Sequence, residues 1–368
     1  MTRLPAEWEP QRFVQLTWPH AATDWAPMID EVNRCFVELA LTIIRFQPLL
    51  VVCADASAVE NLLRGGMKQR KVQWSDDGGK AGVKAAAVDA ESKATGIDAA
   101  FDGLIRLVEL PSNDTWARDH GGITVLEEGR RVIYDYGFNG WGQKFEAGLD
   151  NELTAKLHAA GVLGDVEYRD CLDFVLEGGS LESDGQGTLL TTSECLLSEF
   201  RNPSYTREMI ERRLKDDFGL VRVLWLNHGY LEGDDTDSHI DTLARLCDRD
   251  TIAYVRCDDP VDAHFDALQK MEQELRQFKT FSGQPYRLIP LPMADAAYDD
   301  EGNRLPATYA NFLILNGAVL VPTYGNPLKD EMAINQLQLA FPDREIVGVD
   351  CRVLIEQHGS LHCVTMQY

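Results

Sequence analysis

No apolar stretch in the chain reaches the roughly 18 residues that a membrane-spanning helix needs. Leu39–Ile44 and Leu49–Cys53 come nearest, and Arg45 and Gln47 interrupt them. Basic charge is also scarce: Lys and Arg total 35 against 59 Asp and Glu, a formal net charge of −24. The basic runs are short, as at Lys68–Lys71, so the positive stripe of a nucleic-acid binder is missing. An acidic field favours small cationic ligands instead. The segment from Met1 to Pro10 has no signal-peptide apolar core, which predicts a cytoplasmic protein. The eight cysteines show neither CxxC pairs nor the Cys/His spacing of a structural zinc site, so they read as reduced thiols. A Gly-rich strand-to-helix phosphate loop is absent too, which argues against a nucleotide-binding doubly wound sheet.

What is present is an alternation of short apolar runs with amphipathic stretches, the pattern of an α/β protein. Met28, Ile29, Val32, Phe36, Leu39 and Ala40 share one helical face. Helices are also expected over Ala56–Leu63, Leu149–Ala160, Tyr205–Phe218, His264–Phe278 and Lys329–Ala340. Pro48–Cys53, Ile105–Leu110, Val221–Leu226, Thr251–Val255, Tyr286–Leu291 and Ala318–Val321 read as strands, Ile240–Leu246 belongs to the same series, and Gly122–Leu126 with Arg131–Tyr134 reads as a hairpin. No long linker divides these units, so one domain over residues 1–368 is expected. Residues 75–101, rich in Gly, Ala, Asp and Lys, read as a surface insertion within it.

Polar residues gather between the strands in four segments: Asn113–Gly122, Leu176–Ser180, Glu232–Asp241 and His358–Gln367. Each has a bland reading by itself. Asp114 or Asp237 can cap a helix, Glu177 beside two glycines can be turn chemistry, and the Asp-rich run can be a solvated face. Asp234, Asp235 and Asp237 are closely spaced oxygen donors, but they lack the alternation and closing glutamate of a calcium loop, so no metal is expected. His239 and Asp241 are two apart; on a strand they would project to the same side. Cys363 follows a Gly-Ser turn and His362, unlike Cys35, Cys53, Cys195, Cys247 and Cys257, which sit in or near apolar patterns and read as core.

Taken together, Asn-Asp-x-Trp-x-Arg-Asp from Asn113, Glu-Gly-Gly-Ser from Glu177, Gly-Asp-Asp-Thr-Asp-x-His-Ile-Asp from Gly233 and Gly-Ser-Leu-His-Cys-Val-Thr-x-Gln from Gly359 resemble the guanidine-modifying (pentein) superfamily. Phe138–Gly142 and Arg201–Pro203 fit it as well. Within that superfamily the chain resembles the agmatine deiminase and bacterial peptidylarginine-deiminase-like family along nearly its whole length. The resemblance implies an α/β fold with a five-bladed, pseudo-symmetric β/α propeller, and a homodimer. It implies Cys363 as nucleophile, His239 as general acid and base, Asp119 and Asp241 as the carboxylates that grip the guanidinium, and Glu177 as an acidic neighbour of His239. Trp116 is expected to line the channel, Arg118 to support the site, and Glu232, Asp234 and Asp237 to be the candidates for the distal end of the substrate. His362 is expected to be a packing or hydrogen-bonding neighbour. Two departures from the family pattern stand out: Ser238 where glycine is more usual, and His120-Gly121-Gly122 where Gly-Pro more often follows the Arg-Asp pair.

The chemistry needs these residue types. A guanidinium is planar and resonance-stabilised, and carboxylates hold it through charge-assisted, often bidentate bonds. A thiolate then attacks its carbon and a histidine protonates the leaving nitrogen, with a covalent S-alkylthiouronium intermediate and no cofactor. The expectation is hydrolysis of agmatine to N-carbamoylputrescine and ammonia, a step of polyamine synthesis. The alternatives are deimination of peptidyl-arginine or another small guanidine, amidino transfer, and guanidine binding without turnover. In every case the partner is a small guanidine cation or arginine side chain, not nucleic acid or a membrane.

Overall fold

In the computed structural model, which describes residues 2–74 and 101–368, the apolar runs build five small sheets on one hydrogen-bonding plan. Each begins with a strand paired antiparallel to the next, which then pairs parallel to a third after a crossover. Ile123–Glu127, Arg130–Gly137 and Glu167–Val175 form the first. Glu182–Ser183, Thr188–Thr192 and Arg222–Leu226 form the second. Ala244–Leu246, Thr251–Arg256 and Arg287–Pro292 form the third, and Leu313–Leu315, Ala318–Thr323 and Glu345–Asp350 the fourth. In the fifth, Thr365–Gln367 near the C-terminus pairs with Val14–Thr17, which pairs with Leu49–Cys53 and so with Ile105–Glu109. The end of the chain thereby joins its beginning, and the five blades close a ring. This is the expected pentein fold.

Local chemistry accounts for the elements. Leu49–Cys53 is buried at every position, as befits a parallel strand covered on both faces. Helix Ile29–Ile43 buries Val32, Phe36, Leu39 and Ala40, at one-face spacing. Thr206 caps helix Arg207–Phe218 by accepting from the Met209 amide, and Gly219 at φ +64° ends it. Asn326 caps helix Pro327–Ala340 in the same way. The hairpin lies at Ile123–Glu127 and Arg130–Gly137, close to where the sequence puts it.

A tight turn precedes the first strand of every blade. Three of these are single helical turns: Ala117–His120, Gly178–Ser180 and Ile240–Leu243. The strand expected over Ile240–Leu246 is therefore a helical turn followed by a short strand. His239 sits at the head of that turn, where its carbonyl accepts from the Thr242 hydroxyl at 2.8 Å, so His239 and Asp241 do not share a strand face. The insertion expected at 75–101 falls, except for Phe101, outside the described residues. Phe101 itself is buried under the Arg64 guanidinium.

Candidate active site

The five turns bring Asp119, Glu177, His239, Asp241, Asn311 and Cys363 together. All six are buried, and His239, Asp241, Glu177 and Asn311 completely so. Cys363 Sγ lies 3.9 Å from Asp241 Oδ2, and His239 Nδ1 lies 3.6 Å from Asp119 Oδ1. On its other side, His239 Nε2 is 3.9 Å from Glu177 Oε2. Asn311 was not singled out in the sequence. Its Nδ2 donates to Cys363 Sγ at 3.2 Å, and its Oδ1 accepts from the His362 amide at 2.8 Å. A solitary Asn before a strand carries no local signal of this role.

The two glycines of the Glu-Gly-Gly motif are explained by space. A Cβ on Gly178 would lie 2.3 Å from the Arg118 carbonyl oxygen. A Cβ on Gly179 would lie 2.5 Å from His239 Nδ1 and 2.8 Å from Asp119 Oδ1. The bare backbone at 179 lets three charged side chains converge, and its amide donates to Asp119 Oδ1 at 3.0 Å. Trp141 Nε1 donates to the other oxygen, Oδ2, at 2.9 Å.

Electrostatics sorts these groups. Burial pushes Asp119 up to about 6, with Asp241 and Glu177 adding to it against His239 and Trp141. Burial and the carboxylates Asp241 and Asp119 push the Cys363 thiol far above its usual range. Burial also opposes a charged His239, but Asp119, Cys195 and Glu177 outweigh it and hold its pKa well above the usual value. Asp241 is held low despite burial, chiefly by His362, whose Nδ1 bonds Oδ2 at 2.8 Å. His362 Nε2 meets Glu7 Oε2 at 2.9 Å, so this histidine is a hydrogen-bonding neighbour, as expected. Asp241 Oδ1 and both His239 ring nitrogens have no hydrogen-bond partner among the described residues, which leaves them for reacting groups.

Glu177 is anchored by a residue the sequence reading passed over. Arg201, quoted there only as part of a motif, bonds both Glu177 oxygens from Nε at 2.9 Å, with both side chains fully buried. Cys195, read as core, belongs here as well: its sulfur and the ligand atoms of Glu177 and His239 lie within 4.8 Å of one another. Those three could in principle hold a metal ion, but the Arg201 cation already occupies the carboxylate.

A cleft of about 140 Å³ opens above Cys363 and Asp119. Trp116, Trp141 and Phe145 wall it, with Trp116 and Trp141 rings 6.4 Å apart and nearly perpendicular. Asp24, Asp114 and Asp235 line it too, whereas no Lys or Arg does among the described residues. Such faces and charges suit a flat cation.

The candidates for the distal end need correction. Glu232, Asp234 and Asp237 do not line the cleft. Asp237 is engaged by Lys144 at 2.7 Å and Arg201 at 2.5 Å. Asp234 braces its own loop, accepting from the Thr236 hydroxyl at 2.6 Å and the Ser238 amide at 2.7 Å. Thr236 Oγ1 then accepts from the His239 amide at 3.0 Å, so the acidic run positions the histidine. Glu232 is more exposed and faces Arg304. Asp235, between them, is the one that turns to the cleft. Arg118 is also displaced. Its amide donates to the Cys363 carbonyl at 3.1 Å, but its guanidinium points away from the cleft, to Gln367 Oε1 and to Met366 Sδ at 3.3 Å. Ser238 has φ +62°, a left-handed conformation, which is the physical reason glycine is usual at this position.

Comparison with known proteins identifies the family. The Porphyromonas-type peptidyl-arginine deiminase family matches residues 3–368. An agmatine deiminase of Pseudomonas aeruginosa (strain LESB58) is 32% identical over 99% of this chain and 95% of its own. A solved Porphyromonas gingivalis structure, provisionally described as an arginine deiminase, is 51% identical with a TM-score of 0.86, covering 100% of this chain and 98% of its own. A Cys-to-Ser variant of C. jejuni agmatine deiminase, solved with substrate bound, is 36% identical with a TM-score of 0.83, covering 100% of this chain and 96% of its own. The chain belongs to the Porphyromonas-type peptidyl-arginine deiminase family.

Proposed function

We propose that the protein is an agmatine deiminase that converts agmatine to N-carbamoylputrescine and ammonia, with Cys363 as nucleophile. The observation that carries this reading is the distribution of charge along the cleft. Its floor holds a thiol beside carboxylates, and its walls add Asp24, Asp114 and Asp235, with His358 3.7 Å from Asp235 and no Lys or Arg in the lining among the described residues. A substrate with a positive charge at each end fits both regions. Free arginine would bring its α-carboxylate against those aspartates. The agmatine deiminases among the relatives support the same choice.

In this reading Asp119 and Asp241 receive the guanidinium nitrogens. The arriving cation offsets the two carboxylates that keep Cys363 protonated, so sulfur loses its proton to solvent as substrate binds. The thiolate forms a C–S bond to the guanidinium carbon. The C–N bond breaks, and protonated His239 supplies the proton with which ammonia leaves. Neutral His239 then takes a proton from water, whose oxygen attacks the thiouronium carbon and expels the thiolate. Glu177, fixed by Arg201, and Asp119 stabilise His239 in its charged form. The enzyme acts on a small free cation in the cytoplasm; no helix among the described residues is long and apolar enough to cross a membrane.

The test is ammonia release from agmatine, free arginine and a peptidyl-arginine substrate in parallel, with Cys363→Ala as control. Turnover of agmatine alone, abolished in the variant, is expected. Preferential turnover of the peptide would overturn the substrate while keeping the chemistry, and wild-type turnover by Cys363→Ala would overturn the mechanism. Asp235→Asn separates the distal contact: it should raise KM for agmatine with little change in kcat.

A further inference from the structure

A second cavity, of about 160 Å³, shares no lining residue with the cleft. The N-terminal segment, the inner strands and Met366–Tyr368 line it, together with Arg118 and Arg131. We propose that this cavity is a binding site for a small anion, a phosphate or a short dicarboxylate, held by Arg118 and Arg131.

The argument rests on which charges there are already satisfied. Carboxylates line the cavity, and each already has hydrogen-bond donors of its own, Glu7 and Glu182 sharing Arg245. Glu7 takes Arg245 at 2.5 Å, His362 at 2.9 Å and the Ile314 amide at 2.9 Å. Glu9 takes both terminal nitrogens of Arg3, at 2.6 and 2.7 Å. Glu182 takes Arg245 and the Leu246 amide. The arginines are the reverse. Arg118 is buried, yet its guanidinium meets only a thioether and an amide oxygen, and its Nε has no partner among the described residues. Arg131, half-buried, has no side-chain hydrogen bond or ion pair among them, and the Arg12 charge nearby repels it. Glu7, Asp241 and Asp119 act on Arg118 only through space, and no carboxylate hydrogen-bonds either guanidinium among the described residues, so the buried Arg118 fork keeps donor capacity that an anion would complete.

Two further buried atoms that line the cavity are also unpartnered and can donate: Gln367 Nε2 and Thr124 Oγ1. With the planar fork of Arg118 they form a donor set suited to a carboxylate or phosphate. The volume admits an ion of a few heavy atoms. The site also lies one layer beneath the chemistry. The Arg118 amide donates to the Cys363 carbonyl, and Gln367 ends the strand Thr365–Gln367 that begins two residues after Cys363. An anion here would tie both segments together and stiffen the nucleophile's support.

Sodium phosphate and sodium malonate would be titrated separately into the full-length protein by calorimetry, with chloride at matched ionic strength as the reference. One-site, saturable binding of at least one of them is expected, and which one binds names the anion class. Arg131→Ala should weaken it about tenfold or more, and Arg118→Met should abolish it. Should Arg118→Met fail to fold, Arg131→Ala alone decides. Absence of saturable binding for both anions, or an affinity untouched by Arg131→Ala, would overturn the proposal.

Discussion

Replacing Gly179 by alanine adds a single methyl group at the point where three site residues meet. That carbon would lie 2.5 Å from His239 Nδ1, 2.8 Å from Asp119 Oδ1 and 3.2 Å from Asp241 Oδ2. Ordinary contact begins near 3.4 Å, so the imidazole must retreat by about 0.9 Å or turn. It has little room to do so, because Glu177 lies on its far side and Arg201 fixes Glu177. In the proposed mechanism His239 transfers protons, and a displacement of about 1 Å at such a group costs on the order of 10²-fold in rate. Overpacking should cost a further 1–3 kcal/mol of stability, roughly. The assay is kcat/KM for ammonia release beside a thermal melt. A large loss in kcat/KM with a modest fall in Tm is expected. Gly65→Ala is the control, since nothing lies within 4 Å of its added carbon and helix Ala56–Trp74 gains from alanine. Wild-type kcat/KM in Gly179→Ala would refute the placement of this backbone against His239.

Since burial and neighbouring carboxylates raise Asp119 to about 6, its charge is lost as pH falls through that value. A neutral carboxyl grips a guanidinium poorly, so kcat/KM should decline on the acid side of about pH 6; a profile flat well below that would contradict the role of Asp119. Arg201→Met leaves Glu177 charged, buried and unpaired, and should cost about 3–5 kcal/mol in denaturant unfolding. At position 238, alanine keeps the left-handed strain and loses the 2.9 Å bond from the hydroxyl to Glu194, for about 1 kcal/mol of destabilisation. Glycine relieves the strain that alanine retains, so Ser238→Gly should melt above Ser238→Ala, and the reverse order would show that φ is not what this position selects.

The linear sequence was enough to show the α/β alternation, the motifs that carry the chemistry and the acidic character that favours a cationic ligand. These are local or compositional properties: a run such as Leu49–Cys53 is apolar wherever it folds, and Cys363 stands out beside a Gly-Ser turn. Tertiary structure decided the rest, because direction and pairing are not written in spacing. Ring closure between Thr365–Gln367 and Val14–Thr17 brings a cysteine near the C-terminus to Asp119 and Asp241. Tertiary folding also recruits Asn311 to Cys363 and Arg201 to Glu177, pairs separated by 52 and 24 positions in the chain. In the acidic run, left-handed backbone at Asp237 and Ser238 directs Asp234 and Asp237 into bracing the loop and leaves Asp235 on the cleft. Arg118 and Asp119 are neighbours in sequence, yet one helical turn points them to opposite sides, one to a second cavity and the other to the site. A residue's type sets what chemistry it can do, and the turn that carries it sets where that chemistry is delivered.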